Sequence, residues 1–472
     1  MRRFGLLLAF LLAGITSLGQ NVTLSGYVKD SSSGEALIGA LVYTQDLSTG
    51  VSTNEYGYYS LHVKPGRQVI KCSLSGYDVA EQELDLVKSL TYDFFLAEDR
   101  HQLEAATVFS KSKREEIALP QMGRQAVDGV LAKKLPALMG ESDIIRVIQM
   151  MPGVQSPSEG ATGFSVRGGG VDQNLILFNE GTIYNPSHMF GVFSAFNSDV
   201  INDVELYKSS IPVEYGGRIS SVLEVSGREG NSKKVEGSLG IGVLTSHFHV
   251  EGPIANEKTT FIVAGRTTYS NWILNLLPQN SGYHGSRASF FDVNAGLTHK
   301  FNARNSIQFN GYYSHDKFDF CRDTTFKYNN ANFSLKWRSN FSDSHSLVAS
   351  VGYDRYDNTV EDKLNKFAAY SLNTSVEQAF VKLKFNSDIT SRHRLTYGAD
   401  AVLYRLNPGK MLPFGDSSAI VSRELPLQKG LEFAVYAGDS WRPGDKLSFE
   451  YGIRYSGFAS FTPSKFYGAP EF

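Results

Sequence analysis

Cysteine is almost absent. Cys72 and Cys321 are the only two in 472 residues and lie far apart, so two unpaired thiols are expected rather than a structural disulfide. Neither follows the N-terminal leader, so no lipid-bearing cysteine is expected at the mature start. An excess of either charge is also missing. Against 46 Lys and Arg stand 48 Asp and Glu, a net of −2, and nothing in that balance would draw the chain to nucleic acid. After the leader, no stretch offers ~20 consecutive apolar residues, so no transmembrane helix is expected. No convincing nucleophile–base pair, carboxylate dyad or phosphate loop stands out. Gly168-Gly169-Gly170 follows a strand but opens no predicted helix, which speaks against a phosphate cradle. The chain is therefore expected to be no enzyme and to hold no metal or cofactor.

Present instead are 31 Phe, 24 Tyr and 44 Gly, at a mean hydropathy of −0.21. That combination suits strands that alternate apolar and polar residues. The first 19 residues read as a secretory signal peptide: Arg2 and Arg3, an apolar core over 6–15, then Ser17-Leu18-Gly19. The twin arginines lack the flanks of the folded-export route, so ordinary secretion is expected. Residues 21–97 read as a small β-sandwich of short alternating runs. Turn clusters such as Ser31-Ser32-Ser33-Gly34, Tyr56-Gly57 and Pro65-Gly66 divide them. Residues 98–119 are charged and poorly periodic, a linker. Inside it, Leu103-Glu104-Ala105-Ala106-Thr107-Val108 is an extended segment able to add a strand to a partner's sheet edge.

Residues 142–230 organise the rest. Ser142 is placed to N-cap a short helix whose apolar face is Ile144, Ile145, Val147, Ile148 and Met151, ended by Pro152-Gly153. Then come Arg167-Gly168-Gly169, Val204-Glu205 and Tyr215-Gly216-Gly217-Arg218. With Pro152-Gly153-Val154, in this order and spacing, these pieces resemble the plug domain of TonB-dependent outer-membrane receptors. The plug is assigned 120–230. The family's usual Asp-Gly is Glu180-Gly181 here, and its Arg-Gly-Pro is Lys208-Ser209-Ser210-Ile211-Pro212. Residues 21–97 are similar to the carboxypeptidase regulatory-like domain that often precedes the plug in receptors from Bacteroidetes-type bacteria. A periplasmic spacer or docking module is expected there, not a peptidase.

From 235 to 472 the period-2 alternation is nearly continuous. Phe333, Leu335, Trp337 and Phe341 alternate with Ser334, Lys336, Arg338 and Asn340. Leu447, Phe449, Tyr451, Ile453 and Tyr455 face away from Ser448, Glu450, Gly452 and Arg454. Runs of about nine residues let a tilted strand cross the hydrocarbon layer. Short connections (253–258, 302–305, 342–346, 387–393, 442–445) take turns with long ones (270–290, 314–330, 354–375, 405–429), the asymmetry of an outer-membrane barrel. Trp337, Tyr353, Trp441 and Tyr455 are placed for an aromatic girdle. Leu239, Ile241 and Val243 share one parity, whereas Leu244, Phe248 and Val250 take the other. A bulge or a reversal would explain the slip. A reversal near 244–245 puts every short turn at one end, and it gives eleven strands. Bacterial barrels have even numbers and this family about 22. The expected fold is therefore mainly β: sandwich, α/β plug and about half of an antiparallel transmembrane barrel. Pro470 rules out a regular final strand before Phe472, so the C-terminus reads as a truncation.

The resemblance implies uptake of a scarce or bulky nutrient (siderophore, cobalamin, glycan or peptide) across the outer membrane, with a periplasmic N-terminal domain. Energy would come from a TonB–ExbB–ExbD complex pulling near 103–108. By the same resemblance Arg167, Glu205 and Arg218 are placed to pair with barrel-wall charges and lock the plug. Gly168, Gly169, Gly216 and Gly217 are its turn residues, and Tyr184, Asn185, His188 and Phe190 are candidate ligand-facing positions. His188 alone makes no metal site. Outer-membrane lipid is the solvent partner, and the need for a surface lipoprotein stays open. Two other classes stay open as well: an adhesin or secretion pore without energised transport, and a soluble all-β hydrolase.

Overall fold

In the computed structural model, the residues described are 22–99, 123–129, 142–156 and 163–462, apart from 48, 55, 282, 321–322, 391 and 445–446. The leader, the segment 103–108, Cys321 and the residues around Pro470 lie outside them.

The N-terminal runs pair into two four-stranded sheets. One joins β1 (Val22–Asp30), β4 (Tyr58–Val63), β7 (Leu90–Thr91) and β8 (Phe94–Leu96). The other orders β3 (Gly50–Ser52), β2 (Leu41–Thr44), β5 (Gly66–Ser73) and β6 (Ala80–Leu86). Alternate residues, among them Leu24, Val42, Leu61, Ile70 and Cys72, turn inward to one core. Cys72 is unpaired, and burial there pushes its thiol pKa up.

The plug is a five-stranded mixed sheet, ordered β13 (Gly181–Thr182), β12 (Asn174–Phe178), β17 (Ser221–Gly227), β16 (Ile201–Tyr207) and β9 (Arg124–Asp128). Two small hairpins accompany it: β10 (Val154–Gln155) with β11 (Ser165–Val166), and β14 (Ser187–His188) with β15 (Phe193–Ser194). The expected helix is α1 (Ile144–Gln149), but its N-cap is Asp143, one residue beyond the expected Ser142. The longer carboxylate caps Ile145 N at 2.9 Å with Oδ1 and takes Ser194 N at 2.8 Å with Oδ2, so it ties the helix start to β15. Ile144, Ile145, Val147 and Ile148 are buried against Val204, Leu206, Leu223 and Val225.

The alternating region forms one antiparallel sheet. Its strands are β18 (Glu236–Ile241), β19 (Thr245–Ile254), β20 (Asn256–Thr268), β21 (Arg287–Asn302), β22 (Asn305–Phe320), β23 (Thr324–Ser342), β24 (His345–Asp362), β25 (Tyr370–Thr390), β26 (His393–Pro413), β28 (Gln428–Gly444) and β29 (Leu447–Ser460). These eleven neighbour one another in chain order, and the two-residue β27 (Arg423–Glu424) hangs on β26. The expected reversal is there: β18 and β19 are joined through Gly242, whose N–H bonds to Thr245 O at 2.8 Å. A second helix, α2 (Asn271–Leu276), follows β20. Among the described residues β18 and β29 each pair on one side only.

Along β23, Phe333, Leu335, Trp337 and Phe341 are exposed on the outward face, and Asn332, Ser334, Lys336 and Arg338 are buried on the inward one. Trp337, Tyr353, Trp441 and Tyr455 are likewise outward and exposed. An apolar exterior over a polar interior is the pattern of a wall that meets lipid.

The long connections are a correction. Residues 314–330 and 354–375 are mostly not loops and 405–413 is strand, because β22 to β26 run on into them and reach 16 to 21 residues, whereas 414–427 remains a connection apart from β27. Past the apolar band the outward positions become Lys327, Asn329, Arg355 and Asp357, and Arg355 pairs with Asp357 at 2.7 Å. Main-chain ladder bonds need no apolar side chain, so pairing outlasts the alternation that betrays it in sequence.

Candidate functional site

The plug lies against the inward face of this wall. Its apolar core continues into wall residues Ile262, Ala264 and Tyr312, so the two bodies share one cluster. Around that contact buried charges join them, and three clusters among the described residues carry ion pairs at their centre.

The first centres on β14, β15 and strands β20 to β22. Arg266 donates to Asp292 Oδ2 from Nε at 2.8 Å and Nη2 at 2.5 Å, and Nη2 also reaches the plug carbonyl of Ser194 at 2.9 Å. His188 has no exposed surface. Its Nδ1 lies 2.7 Å from Asp316, its Nε2 3.3 Å from Asp292, and its ring stacks on Phe290 at 4.3 Å. Burial opposes charge on this imidazole, but the two carboxylates outweigh burial and raise its pKa. An imidazolium and a guanidinium then balance two carboxylates.

The second is Glu180, in the turn between β12 and β13. Lys336 Nζ lies 3.3 Å from one oxygen and Lys382 Nζ 3.4 Å from the other, and Lys382 also donates to the Glu180 carbonyl at 2.8 Å. Burial would lift this carboxyl, yet Lys336, Lys382 and Lys384 together hold it well below its usual range. The longer acid in place of the usual Asp thus reaches two wall lysines. The following Gly181 fits because a Cβ there would meet Asn332 Nδ2 at 1.9 Å. The Thr182 amide donates to Asp354 at 2.9 Å.

The third is Glu229, where the plug passes into the wall. It accepts from Arg338 Nη1 at 2.8 Å and meets Lys300 Nζ at 2.8 Å. Against the upward push of burial, these cations bring its carboxyl down to about 2.

The expected lock residues sit differently. Glu205 faces Arg124 and the hydroxyl of Tyr207, all within the plug, because β9 pairs with β16 and sets Arg124 diagonally across from it. Burial opposes charge on Glu205, but Arg124 outweighs it and holds its pKa low. Arg218 is exposed, with Nη1 donating to Gly217 O at 2.8 Å. Arg167 is exposed at a left-handed φ of 51°, in the turn that Gly168 continues at φ 82°. Gly169 lies against Ser220, and Gly216 touches Arg454, where a Cβ would sit 2.6 Å from Nε. The charges that do bridge plug and wall were visible only as polar residues at inward parity. An ion on an inward face, opposite a domain, needs a partner.

Of the candidate ligand-facing residues, His188 is sealed in the first cluster and faces no ligand. Asn185 caps its own turn through Ser187 and offers its carbonyl to Asn330 at 3.2 Å. Phe190 is 55% exposed, set edge-on to Phe318 and Phe326 at 4.9 and 5.4 Å. Tyr184 donates to Gln378 at 2.6 Å and lines a cleft of about 700 Å³ with Gly216, Gly217, Arg218, Tyr404 and Glu432. The structure therefore gathers four of the named residues on one polar gap between plug and wall.

A globular plug fixed by buried ion pairs to the polar inner face of a β-wall with an apolar exterior is the arrangement of part of a plugged outer-membrane barrel. Residues 24–108 match the CarboxypepD_reg-like domain and residues 121–222 the TonB-dependent Receptor Plug Domain. The chain thus carries the plug domain of TonB-dependent receptors, with a carboxypeptidase-regulatory-like domain ahead of it. Its fold is similar to a mutant ferric enterobactin receptor of Pseudomonas aeruginosa (15% identity, TM-score 0.54, 72% of this chain and 58% of that one). It is also similar to the siderophore receptor PirA of Acinetobacter baumannii (15%, 0.52, 72% and 57%) and to the unliganded ferric citrate transporter FecA (12%, 0.56, 71% and 56%). The chain thus spans less than two thirds of each of these proteins, and at such identities the likeness is one of fold. The comparison with curated proteins returned no match.

Proposed function

We propose that this chain is part of an outer-membrane transporter that imports a scarce or bulky nutrient with energy delivered by a TonB–ExbB–ExbD complex. The observation that carries the reading is the set of buried ion pairs at His188, Glu180 and Glu229. They join a separate domain to the lumen face of a wall whose other face is apolar. Small solutes are kept out by the plug. The outer membrane has no nucleotide supply of its own, so work must reach the plug from elsewhere. The segment 103–108 is the point of engagement, and the N-terminal domain lies on the periplasmic side, beside the short turns. Cargo meets the exposed Phe190 and the cleft of Tyr184, Arg218 and Tyr404. That polar and aromatic lining admits a siderophore, cobalamin, a glycan or a peptide. Arg167, Glu205 and Arg218 stay within reach of a moving plug but are secondary to the three bridging clusters in holding it.

The test is deletion of residues 102–109 in the full-length receptor, followed on defined iron, cobalamin and glycan sources. Uptake is expected to stop while surface display persists. Unchanged uptake would remove energised transport and favour an adhesin or a passive pore.

A further inference from the structure

The N-terminal domain is the part of the molecule that the transport reading leaves without work. Its turn at Ser33, Gly34 and Glu35 sits on residues 228–233, the strap between β17 and β18. Ser33 O accepts from Ser232 N at 2.8 Å and Oγ at 2.9 Å. Glu35 reaches further. Its Oε2 accepts from Arg228 Nε at 3.0 Å and Nη2 at 2.7 Å, and its Oε1 from the Gly230 amide at 2.8 Å. Arg228 also holds Glu251 of β19 at 2.8 Å. A second foothold lies at the turn between β23 and β24. There Asn340 donates to the Tyr27 hydroxyl at 3.0 Å, and the Tyr58 hydroxyl lies 3.4 Å from Asp343 O.

Nearby opens a cleft of about 880 Å³, with Thr53, Asn54 and Tyr58 of the domain on one side and Arg124 and Glu205 of the plug on another. The domain therefore spans the short-turn mouth beneath β9 and β16. Among the described residues β9 is the first plug strand after the N-terminal domain.

The charges are arranged for release. Docked, Arg228 faces two carboxylates. When Glu35 leaves, Arg228 keeps Glu251, and Glu35 passes into water. Breaking a two-membered buried pair strands one charge, which is the costly case; a three-membered set avoids it. Glu229, next in sequence, keeps Arg338 and Lys300 whether the domain is docked or not.

We infer that the N-terminal domain is a releasable cover over the short-turn mouth, held by Glu35 on Arg228, and that the β9 edge of the plug leaves the wall only after this contact opens. The inference rests on the reading that force enters at residues 103–108. Its test applies the force directly, so it stands or falls apart from whether TonB supplies that force in the cell.

A Cβ at Gly34 would lie 3.7 Å from Ser232 Cβ, inside the span of a disulfide. The double variant Gly34→Cys with Ser232→Cys is made in the full-length receptor, placed in a lipid bilayer and oxidised. It is then pulled by force microscopy through a handle at 103–108. The wild type is expected to show a low-force event, domain release, before the plug yields. The oxidised double variant loses that event and its plug yields at higher force, and reductant restores both. Glu35→Gln lowers the force of the first event. Identical traces before and after reduction overturn the inference, as does failure of the cysteines to cross-link. Because Gly34 sits at φ 74°, the double variant can fail to fold. Glu35→Gln then decides alone, and an unchanged first event overturns the inference.

Discussion

Replacing Arg266 by Met should loosen the plug without unfolding the wall. The guanidinium makes two bonds to Asp292, whose side chain has no exposed surface, and one to the plug carbonyl of Ser194. Arg266→Met removes a charge from one side of a closed balance. Asp292 and Asp316 are then left with His188 alone, and the Ser194 carbonyl loses its donor. Breaking a buried pair this way costs about 3–5 kcal/mol. An orphaned carbonyl adds to it, and firmer protonation of His188 offsets part of it. At ~1.4 kcal/mol per tenfold, plug opening rises by about 10²- to 10⁴-fold. The assay is native-state hydrogen exchange of amides 187–194 in receptor refolded into lipid, since protection there reports local opening. Gel mobility of unheated samples checks that the wall is still folded. The double variant Arg266→Met with Asp292→Leu removes both charges, leaves His188 on Asp316, and should recover most of the protection. Unchanged exchange in the single variant, or no recovery in the double, would refute the argument that this cluster holds the plug.

The pH dependence of the same contact has a fixed sign. His188 carries a raised pKa in the fold, so its contribution is full below the ordinary imidazole value and is lost as pH rises through the raised one. Protection of 187–194, corrected for intrinsic rate, should fall over that window, and His188→Gln should flatten the fall. Glu229 has the opposite sign: its carboxyl is lowered from 4.5 to about 2, so its contribution holds above 4.5 and fades as pH falls toward 2. Glu229→Gln should abolish that acid step in exchange at 228–231. Gly181→Ala puts a methyl into Asn332 and Asp354 and should weaken plug docking by about 1–3 kcal/mol, read from the same exchange profile. Leu335→Arg, on the outward apolar band of β23, should cost about 2–4 kcal/mol of folding into vesicles, measured by denaturant titration.

Much of this architecture is written in local pattern. A period of two marks β23 and β29 because one face meets an apolar medium, and the parity slip at 243–244 marks a reversal rather than a bulge because only a reversal puts every short turn at one end. The extensions of β22 to β26 left no such trace, since their outward face turns polar, as at Lys327, Asn329, Arg355 and Asp357, and the apolar-polar alternation ends there. The turn motifs placed the plug, but not its anchors. His188, Asp292 and Asp316 are separated by up to 128 residues and meet only after docking. Glu205 looked free to meet the wall because nothing local shows that β9 brings Arg124 beside it. The same limit hides the Glu35–Arg228 contact, which joins residues 193 apart.

The account depends most on which side of the strands after 235 meets lipid. Nitroxide labels placed singly at 331–341 in the lipid-embedded receptor, and read for collision with oxygen against a water-soluble nickel chelate, address this directly. Odd positions should favour oxygen and even positions should be shielded from both probes by the plug. If the chelate reached odd and even positions alike, the strands would be facing water and the transport reading would fail.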